Sequence, residues 1–300
     1  MGSAILLVSV VLLLNFPVGL CGCFKRIFSF GDSIIDTGNF VRTVSSTPIK
    51  ELPYGMTYFN RPTGRVSDGR VIIDFYAQAL QLPLIPQNLP EEDTGLFPYG
   101  ANFVTLAATA LPPEYFLKWN HKLPSPFCLG VQIGWFKEML KRIAPGDGAQ
   151  RQLLSESLIV MGEIGGSAVQ ELIDMGAKAI MIPNNFPIGC MATYLSDHEH
   201  DNLPQTTTST DASGGSTTSP RGTTRRCATR FGIGDPLVAC CGGDNRYHTN
   251  KDCNKTAKVW GDPSAFANWD GVHMTDKAHD VISHGVLNGP FADPPLLRSC

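Results

Sequence analysis

The chain has 300 residues, of which 43% are hydrophobic and 17% are charged, so it can form one large domain or two small ones around a sizeable core. Its formal net charge is −3, whereas a nucleic-acid-binding domain would need a clustered basic excess. The single dense basic cluster, residues 221–230, falls in a Ser/Thr-rich stretch that is typical of a solvated loop. No nucleic-acid partner is therefore expected.

An almost wholly apolar run occupies residues 4–16 and is followed by small residues. Its length suits the hydrophobic region of a signal peptide and is short for a membrane span. We interpret residues 1–21 as a signal peptide, with a buried N-terminal strand or helix as the alternative. No later segment is long and apolar enough to cross a membrane, so we expect a secreted protein without a stable membrane anchor.

The next segments predict regular structure with intervening loops. Residues 26–30 form a short apolar run that ends at Gly31, which predicts a buried strand followed by a turn. The later patterns, in chain order, predict an ordered loop over residues 53–69, a helix over 71–80, a strand and then a loop over 101–110, and an amphipathic helix over 130–143.

The middle of the chain predicts a parallel strand–helix–strand unit. Residues 157–162 and 177–182 are apolar runs that predict two buried strands. Between them, residues 167–175 predict a helix, with Ser167 as its N-cap and Gly176 as its C-cap. Strands joined through a helix in this way are expected to be parallel neighbours.

The last third combines a low-complexity segment with ordered sequence. Residues 205–226 consist mainly of Thr, Ser and Gly and are expected to form a disordered insertion, because they carry almost no apolar surface to bury. Residues 275–287 predict an amphipathic helix. We therefore expect a single domain over residues 22–300 that contains this insertion.

Nine cysteines indicate an oxidising compartment. Disulfide bonds are expected among seven of them: Cys128, Cys190, Cys227, Cys240, Cys241, Cys253 and Cys300. A zinc site built from Cys240, Cys241, His248 and Cys253 is a weaker alternative, since this spacing matches no standard ligand pattern. Asn254 begins a glycosylation sequon, Asn-Lys-Thr.

Two short motifs carry candidate chemistry. Ser33 follows a predicted strand and a glycine turn, where a helix N-terminus would favour negative charge that develops on an oxyanion. On this motif alone, a serine that merely caps the helix is the simpler interpretation. Asp270 precedes His273 by three residues, so its carboxylate can hold one ring nitrogen protonated and leave the other as a general base.

The other histidines lack such an acid. His279 and His284 fall in the predicted C-terminal helix and are expected to be solvated. The remaining four histidines lie in predicted loops with no acid at comparable spacing: His121, His198, His200 and His248.

The two motifs together resemble the plant branch of the GDSL-type esterase/lipase family, a part of the SGNH hydrolase superfamily. The resemblance extends to further blocks in the same order along the chain: FSFGDSIIDTGN at 28–39, PYG at 53–55, GRVSDGR at 64–70, AKAIMIPNNFPIGC at 177–190, ACCGG at 239–243 and WDGVHMT at 269–275. The sequence FADPP at 291–295 resembles the tail of the subgroup that contains sinapine and acetylajmalan esterases.

The resemblance implies a three-layer α/β/α sandwich with a central parallel sheet, and a hydrolase that acts on small-molecule or lipid esters without a cofactor or metal. It assigns Ser33 as nucleophile, His273 as base and Asp270 as the partner that orients the base. The oxyanion would be held by the N–H of Ser33 and by groups at the positions of Ala107 and Ser167.

Two of these oxyanion positions differ from the family pattern. Ala107 stands where the family has a glycine, and alanine lacks glycine's freedom at positive φ. Ser167 stands near the place of an asparagine whose longer side chain it cannot replace. The loss of one such donor lowers kcat by about 10²–10³.

The chain is also shorter than the family pattern after Gly166 and between Leu195 and Arg230. We therefore expect the sheet to lack one strand. A catalytically impaired or non-catalytic relic of the family is the alternative to an active esterase.

Overall fold

The structure is a computed structural model that describes residues 23–88, 96–120, 123, 125–164, 167–183, 190–197 and 233–298. The predicted signal peptide and the predicted insertion at residues 205–226 lie outside the described residues. The same is true of His121, His198, His200, Cys227 and Cys300.

The described residues form eight strands and eight α-helices. The strands are β1 (Arg26–Phe30), β2 (Gly100–Asn102), β3 (Ser157–Met161), β4 (Ala179–Met181), β5 (Asp235–Ala239), β6 (Cys241–Gly242), β7 (Lys258–Val259) and β8 (Phe266–Asn268). The helices are α1 (Asn39–Thr43), α2 (Ile72–Ala79), α3 (Pro113–Leu117), α4 (Leu129–Ile143), α5 (Asp147–Ser155), α6 (Ser167–Met175), α7 (Ala192–Asp197) and α8 (Asp276–Asn288). Short 3₁₀ turns occupy Ser33–Ile35, Pro48–Lys50, Pro263–Ala265 and Leu296–Arg298.

Four strands form a central parallel sheet in the order β2-β1-β3-β4. Ile27 of β1 lies opposite Gly100 of β2 and Leu158 of β3. β3 and β4 are parallel neighbours joined through α6, as the strand–helix–strand pattern predicts. β1, β2 and β3 are almost entirely buried, which explains why β1 and β3 read as continuous apolar runs.

Each face of the sheet packs against a separate layer of helices. Alternate residues such as Ile27 and Leu158 share one core cluster with side chains of α2 and α8. Their neighbours in the strands, such as Phe28 and Ile159, share a second cluster with side chains of α4, α5 and α6. This period of two is the geometry of a sheet that is buried on both sides. The predicted α/β/α fold class is therefore confirmed.

The last four strands form two small sheets. β5 pairs in parallel with β8, and β6 pairs with β7 in antiparallel orientation. The core beside them contains Trp269 and the disulfide bond between Cys241 and Cys253, packed against Ile49, Tyr54 and Val66 of the N-terminal loops. This cluster brings the C-terminal end of the chain beside the loops that come after β1.

The cysteines behave only in part as predicted. Cys241 and Cys253 form a disulfide bond, and Cys23 and Cys190 are also disulfide-bonded. Cys128 and Cys240, by contrast, are free thiols buried in the core, so their predicted participation in disulfide bonds is wrong. Cys128 packs as a small apolar residue, a common role for buried cysteine, whereas the Cys240 thiol donates to the Trp260 carbonyl at 3.7 Å. Cys241 and Cys253, two ligands of the alternative zinc site, are joined in this disulfide bond and have no thiolate to offer a metal. Among the described residues, no cluster of metal ligands occurs.

The expectation of a solvated His279 is also wrong. The His279 side chain is buried on the inner side of α8, whereas His284 on the same helix is exposed. Burial and the nearby His273 lower the pKa of His279 to about 3, so the ring is neutral.

Within the described residues, no helix is both long enough and apolar enough to cross a membrane.

Candidate active site

Ser33 lies on a tight turn at the carboxyl end of β1. Gly31 has φ of 149°, and a Cβ atom added there would approach the Cα of Gly162 to 2.7 Å. The side chain of Gln132 on α4 fixes this turn, because its oxygen accepts from the Gly31 N–H and its amide donates to the Gly31 carbonyl, both at 2.8 Å. A larger residue at position 31 would therefore push β1 and β3 apart beneath Ser33.

The helix expected after Ser33 is a single 3₁₀ turn. Asp32, and not Ser33, caps this turn, since its carboxylate accepts a hydrogen bond from the Ile34 N–H. The Ser33 hydroxyl is therefore not consumed as a cap, contrary to the simpler interpretation of the motif. One turn of 3₁₀ helix is too short to build the dipole of a full α-helix, so the local N–H groups are the relevant positive ends.

Asp270 and His273 lie on the loop between β8 and α8. The Oδ1 atom of Asp270 accepts from the backbone N–H of Val272 at 3.2 Å and of His273 at 2.8 Å. The carbonyl of His273 in turn accepts from the Trp269 N–H at 2.7 Å. These bonds close the loop on itself and direct both side chains toward the end of the parallel sheet, where ligands of such sheets commonly bind.

The structure brings Ser33, His273 and Asp270 into one hydrogen-bonded chain. His273 Nε2 lies 2.9 Å from Ser33 Oγ, although 240 residues separate them. His273 Nδ1 lies 2.9 Å from Oδ2 and 3.0 Å from Oδ1 of Asp270. Because an ionised carboxylate can only accept, Nδ1 carries the proton, and Nε2 then accepts from the Ser33 hydroxyl. This is the order of groups that activates a serine nucleophile.

The charges of the site support that protonation pattern. Burial raises the pKa of Asp270, but His273 and several donors outweigh it and hold the pKa at about 2. Burial lowers the pKa of His273, but the carboxylates of Asp270 and Asp32 outweigh it, so the pKa lies above its ordinary value of 6.5. The carboxylate is thus ionised at neutral pH, and the imidazole is a stronger base than a free histidine.

Ala107 lies on the loop after β2 and has φ of 58°. The backbone therefore adopts the left-handed conformation that the family's glycine would favour, although an alanine there costs about 1–2 kcal/mol. Among the described residues, neither the Ser33 N–H nor the Ala107 N–H donates a hydrogen bond. Ser167 begins α6, and its side chain lies outside the described part of the structure.

Asp36 joins the Ser33 turn to the Ala107 loop. Its side chain is fully buried and accepts four backbone N–H groups, from Gly38, Asn39, Phe40 and Leu106. Burial raises the pKa of Asp36 to about 6, and these donors limit the increase. Asp36 therefore attaches the residue before Ala107 directly to the segment after Ser33.

Tyr54 is a further residue at the site, for which the sequence alone gave no role. Its hydroxyl donates to Asp270 Oδ2 at 2.9 Å across a separation of 216 residues. The PYG block marks the position, but only the fold brings its ring to the acid of the C-terminal loop.

Asn254, the predicted glycosylation site, lies in a loop in which its side-chain oxygen accepts from both the N–H and the hydroxyl of Thr256.

Comparison with known proteins decides the family. The family model described as GDSL-like Lipase/Acylhydrolase matches residues 27–167, which include Ser33. A GDSL esterase/lipase of Arabidopsis thaliana is 34% identical over 348 aligned positions that cover 93% of this chain and 88% of that protein. The sinapine esterase of Brassica napus is 33% identical over 350 positions, with 93% and 89% covered.

The chain belongs to the GDSL-like lipase/acylhydrolase family. The resemblance noted from the sequence motifs is therefore confirmed, and the protein is a hydrolase of the GDSL type. The alignments with its GDSL relatives are longer than the 300 residues of the chain, so those proteins contain positions that this chain lacks. This agrees with the internal deletions expected from the sequence.

Proposed function

We propose that this protein is a serine-dependent carboxylic ester hydrolase in which Ser33 is the nucleophile, His273 the general base and Asp270 the residue that orients the base. The observation that carries the proposal is the 2.9 Å contact between Ser33 Oγ and His273 Nε2. The nucleophile and the base are at the distance that proton transfer requires, and the base is held by a buried acid.

The reaction proceeds from this arrangement in two halves. Ser33 Oγ bonds to the carbonyl carbon of the ester while its proton passes to Nε2 of His273. The imidazolium then gives this proton to the alcohol oxygen as the carbon–oxygen bond breaks, and the acyl group remains on Ser33. A water molecule repeats the same steps and releases the acid.

The oxyanion of each tetrahedral intermediate would be held by the N–H groups of Ser33 and Ala107. Both lack an acceptor among the described residues, and Ala107 has the left-handed conformation that a glycine favours. Ser167 would be the third donor, but its side chain is shorter than that of the asparagine in the family pattern. We therefore expect slow turnover, since one weakened donor lowers kcat by about 10²–10³.

The substrate we propose is a small-molecule or lipid ester. The sinapine esterase among the relatives is named for a small-molecule ester, and the FADPP tail resembles its subgroup. The alternative is a catalytically impaired or non-catalytic relic of the family. Two features favour that alternative: the third block lacks its asparagine, and the chain lacks positions that its relatives contain.

We also propose that the protein is secreted, with residues 1–21 removed and Asn254 glycosylated. The disulfide bond between Cys241 and Cys253 supports an oxidising compartment, and the apolar run at residues 4–16 has the length of a signal sequence. Mass measurement of protein collected from the medium of secreting eukaryotic cells tests this. A retained N-terminal segment and an unmodified Asn254 would contradict it.

Hydrolysis of a short-chain p-nitrophenyl ester tests the catalytic proposal. We expect weak but measurable activity in the wild-type protein and complete loss in Ser33→Ala. The matched control is Ser264→Ala, which removes an exposed serine hydroxyl in the turn before β8 and should leave the activity unchanged. Activity that persists in Ser33→Ala would refute the mechanism. A folded wild-type protein without activity would favour the relic.

A further inference from the structure

A tyrosine from the N-terminal loops contacts the catalytic acid directly. The Tyr54 hydroxyl donates to Asp270 Oδ2 at 2.9 Å, and the same oxygen accepts from His273 Nδ1 at 2.9 Å. Tyr54, Asp270, His273 and Ser33 therefore form one continuous chain of hydrogen bonds. Burial and the neighbouring Asp270 raise the pKa of Tyr54 well above its usual range, so its hydroxyl remains a donor at every pH at which the enzyme would work.

The position of the Tyr54 ring is fixed by packing. Its side chain is 5% exposed and meets Trp269 edge-on, with ring centroids 6.0 Å apart. Trp269 is fully buried and immediately precedes Asp270. The backbone beside Tyr54 is held as well, because the Gly55 N–H donates to the Ser67 carbonyl at 3.0 Å. The hydroxyl therefore meets the carboxylate from a rigid support.

The remaining donors to Asp270 come from its own loop. They are the N–H groups of Val272 and His273 on Oδ1, together with the imidazole itself. Within the described residues, Tyr54 is the one donor that reaches this carboxylate from another part of the chain. Without it, Oδ2 would be held by the imidazole alone, and only the donors of its own loop would orient the carboxylate.

We infer that Tyr54 is a positioning residue for the reaction: its hydroxyl fixes the orientation of the Asp270 carboxylate and draws negative charge away from the side that faces His273. The inference rests on the proposed function, since it assigns Tyr54 a place behind the proposed triad. Tyr54 acts through Asp270, and its own hydroxyl bonds to that carboxylate and not to the nucleophile.

The test is Tyr54→Phe, which keeps the ring and its packing on Trp269 and removes only the hydroxyl. We expect kcat to fall roughly tenfold with KM unchanged, because a hydrogen bond to a charged group has about this effect. We also expect the acidic limb of the pH–rate profile to move to higher pH. With one donor fewer, Asp270 carries more negative charge and stabilises the imidazolium form of His273 more strongly.

The matched control is Tyr76→Phe, which removes the hydroxyl of another buried tyrosine, on α2 in the core cluster that this helix shares with the central sheet. Its kcat and its pH profile should equal those of the wild type. A Tyr54→Phe variant that matches the wild type in both, or that only loses thermal stability while the acidic limb stays in place, would overturn the inference.

A second readout separates this inference from the proposed function. The His273 imidazole can be titrated by NMR, with its signal identified by its absence in His273→Gln. A shift of this titration to higher pH in Tyr54→Phe supports the inference even if no ester is hydrolysed, and an unchanged titration refutes it. Failure of the proposed function would instead appear as ester hydrolysis that survives Ser33→Ala.

Discussion

Two carboxylates act on the imidazole of His273 from different positions. Asp270 accepts a hydrogen bond from its Nδ1, whereas Asp32 is the neighbour of Ser33 in the chain and acts on the imidazole through its charge. The Asp32 side chain has a structural role as well, since it accepts the Ile34 N–H at 3.2 Å. An asparagine at position 32 would preserve that bond through its amide oxygen and would remove the charge.

We expect kcat/KM to fall on the acidic side with a midpoint above 6.5, the ordinary pKa of histidine. Below its pKa the His273 ring is protonated and has no free nitrogen to accept the Ser33 proton; above it the base is available. Asp32→Asn should move this limb to lower pH, because one of the charges that stabilise the imidazolium is lost. Initial rates of the wild type and the variant across the pH range measure both effects. A limb that stays in place in Asp32→Asn would contradict the role of that charge.

The sequence alone identifies some residues of the proposed site and not others. Ser33, Asp270 and His273 emerge from short motifs, because glycine turns and acid–histidine spacing depend on neighbours along the chain. Tyr54 did not, since its contact with Asp270 depends on how two distant loops pack. The burial of His279 is not evident from the sequence either, because this polar residue faces the core side of an amphipathic helix, where a histidine is uncommon.

Among the elements, the loop before α2 is fixed by a buried ion pair. Arg65 donates from Nε and Nη2 to the two carboxylate oxygens of Asp74, both at 2.7 Å, and also donates to the Thr37 carbonyl. Asp74 also accepts the Val71 N–H and so caps the first turn of α2. The side chains are 8% and 0% exposed, so water cannot replace the contacts. This pair joins the segment after Ser33 to the helix that supports one face of the sheet.

Replacing Asp74 with Asn should lower the free energy of unfolding by about 3 kcal/mol, because Arg65 would remain buried without a counter-charge. Denaturant unfolding followed by circular dichroism measures the loss. The control is Glu138→Gln, which breaks the ion pair with Lys141 on exposed faces of α4 and should cost less than about 1 kcal/mol. Equal losses of unfolding free energy in the two variants would show that the buried ion pair stabilises the fold no more than the exposed one.

The elements themselves were largely predictable where local pattern decides them. β1, β3, α2, α4, α6 and α8 lie within one residue or two of the predicted bounds, since apolar periodicity and caps such as Thr275 depend on near neighbours. The motif predicts a helix at Ser33, whereas the structure has a single 3₁₀ turn, because Asp32 caps only one turn before the chain leaves at Asp36. The sequence does not distinguish the free thiols of Cys128 and Cys240 from bonded cysteines, since disulfide pairing depends on tertiary distance.

At the scale of the whole molecule, the proposed active site is shared between two distant parts of the chain. Ser33 lies at the end of the central sheet, whose described strands end at Met181, whereas Asp270 and His273 come after residue 233. Arg70 holds the parts together through Asp276, to which its guanidinium and backbone N–H donate at 2.6–3.0 Å. Asp68 accepts the Asp276 N–H at 2.7 Å, and α8 packs against α2 in the same core cluster.

These contacts should keep the two parts together even if the chain between them is cut. The segment at residues 205–226 contains a single apolar residue, Ala212, and three arginines, so its composition predicts that trypsin cleaves it first. Because the interface between the two parts includes charged hydrogen bonds, the α2–α8 packing and the Trp269 cluster, the cleaved halves should remain associated. We expect two bands on a reducing denaturing gel but one peak in gel filtration run with reductant, so that the disulfide bonds of Cys23 and Cys190 cannot hold the halves together.

Ester hydrolysis by the cleaved protein should then equal that of the intact chain, since Ser33 and His273 would remain in contact. Arg70→Ala is the informative variant: without its bonds to Asp276 the halves should separate more readily after cleavage, whereas the uncleaved variant stays whole because the chain still connects them. Protection of residues 205–226 from trypsin would contradict the composition argument. Separation of the wild-type halves after cleavage would instead show that the covalent connection, and not the packing between α2 and α8, keeps the histidine beside the serine.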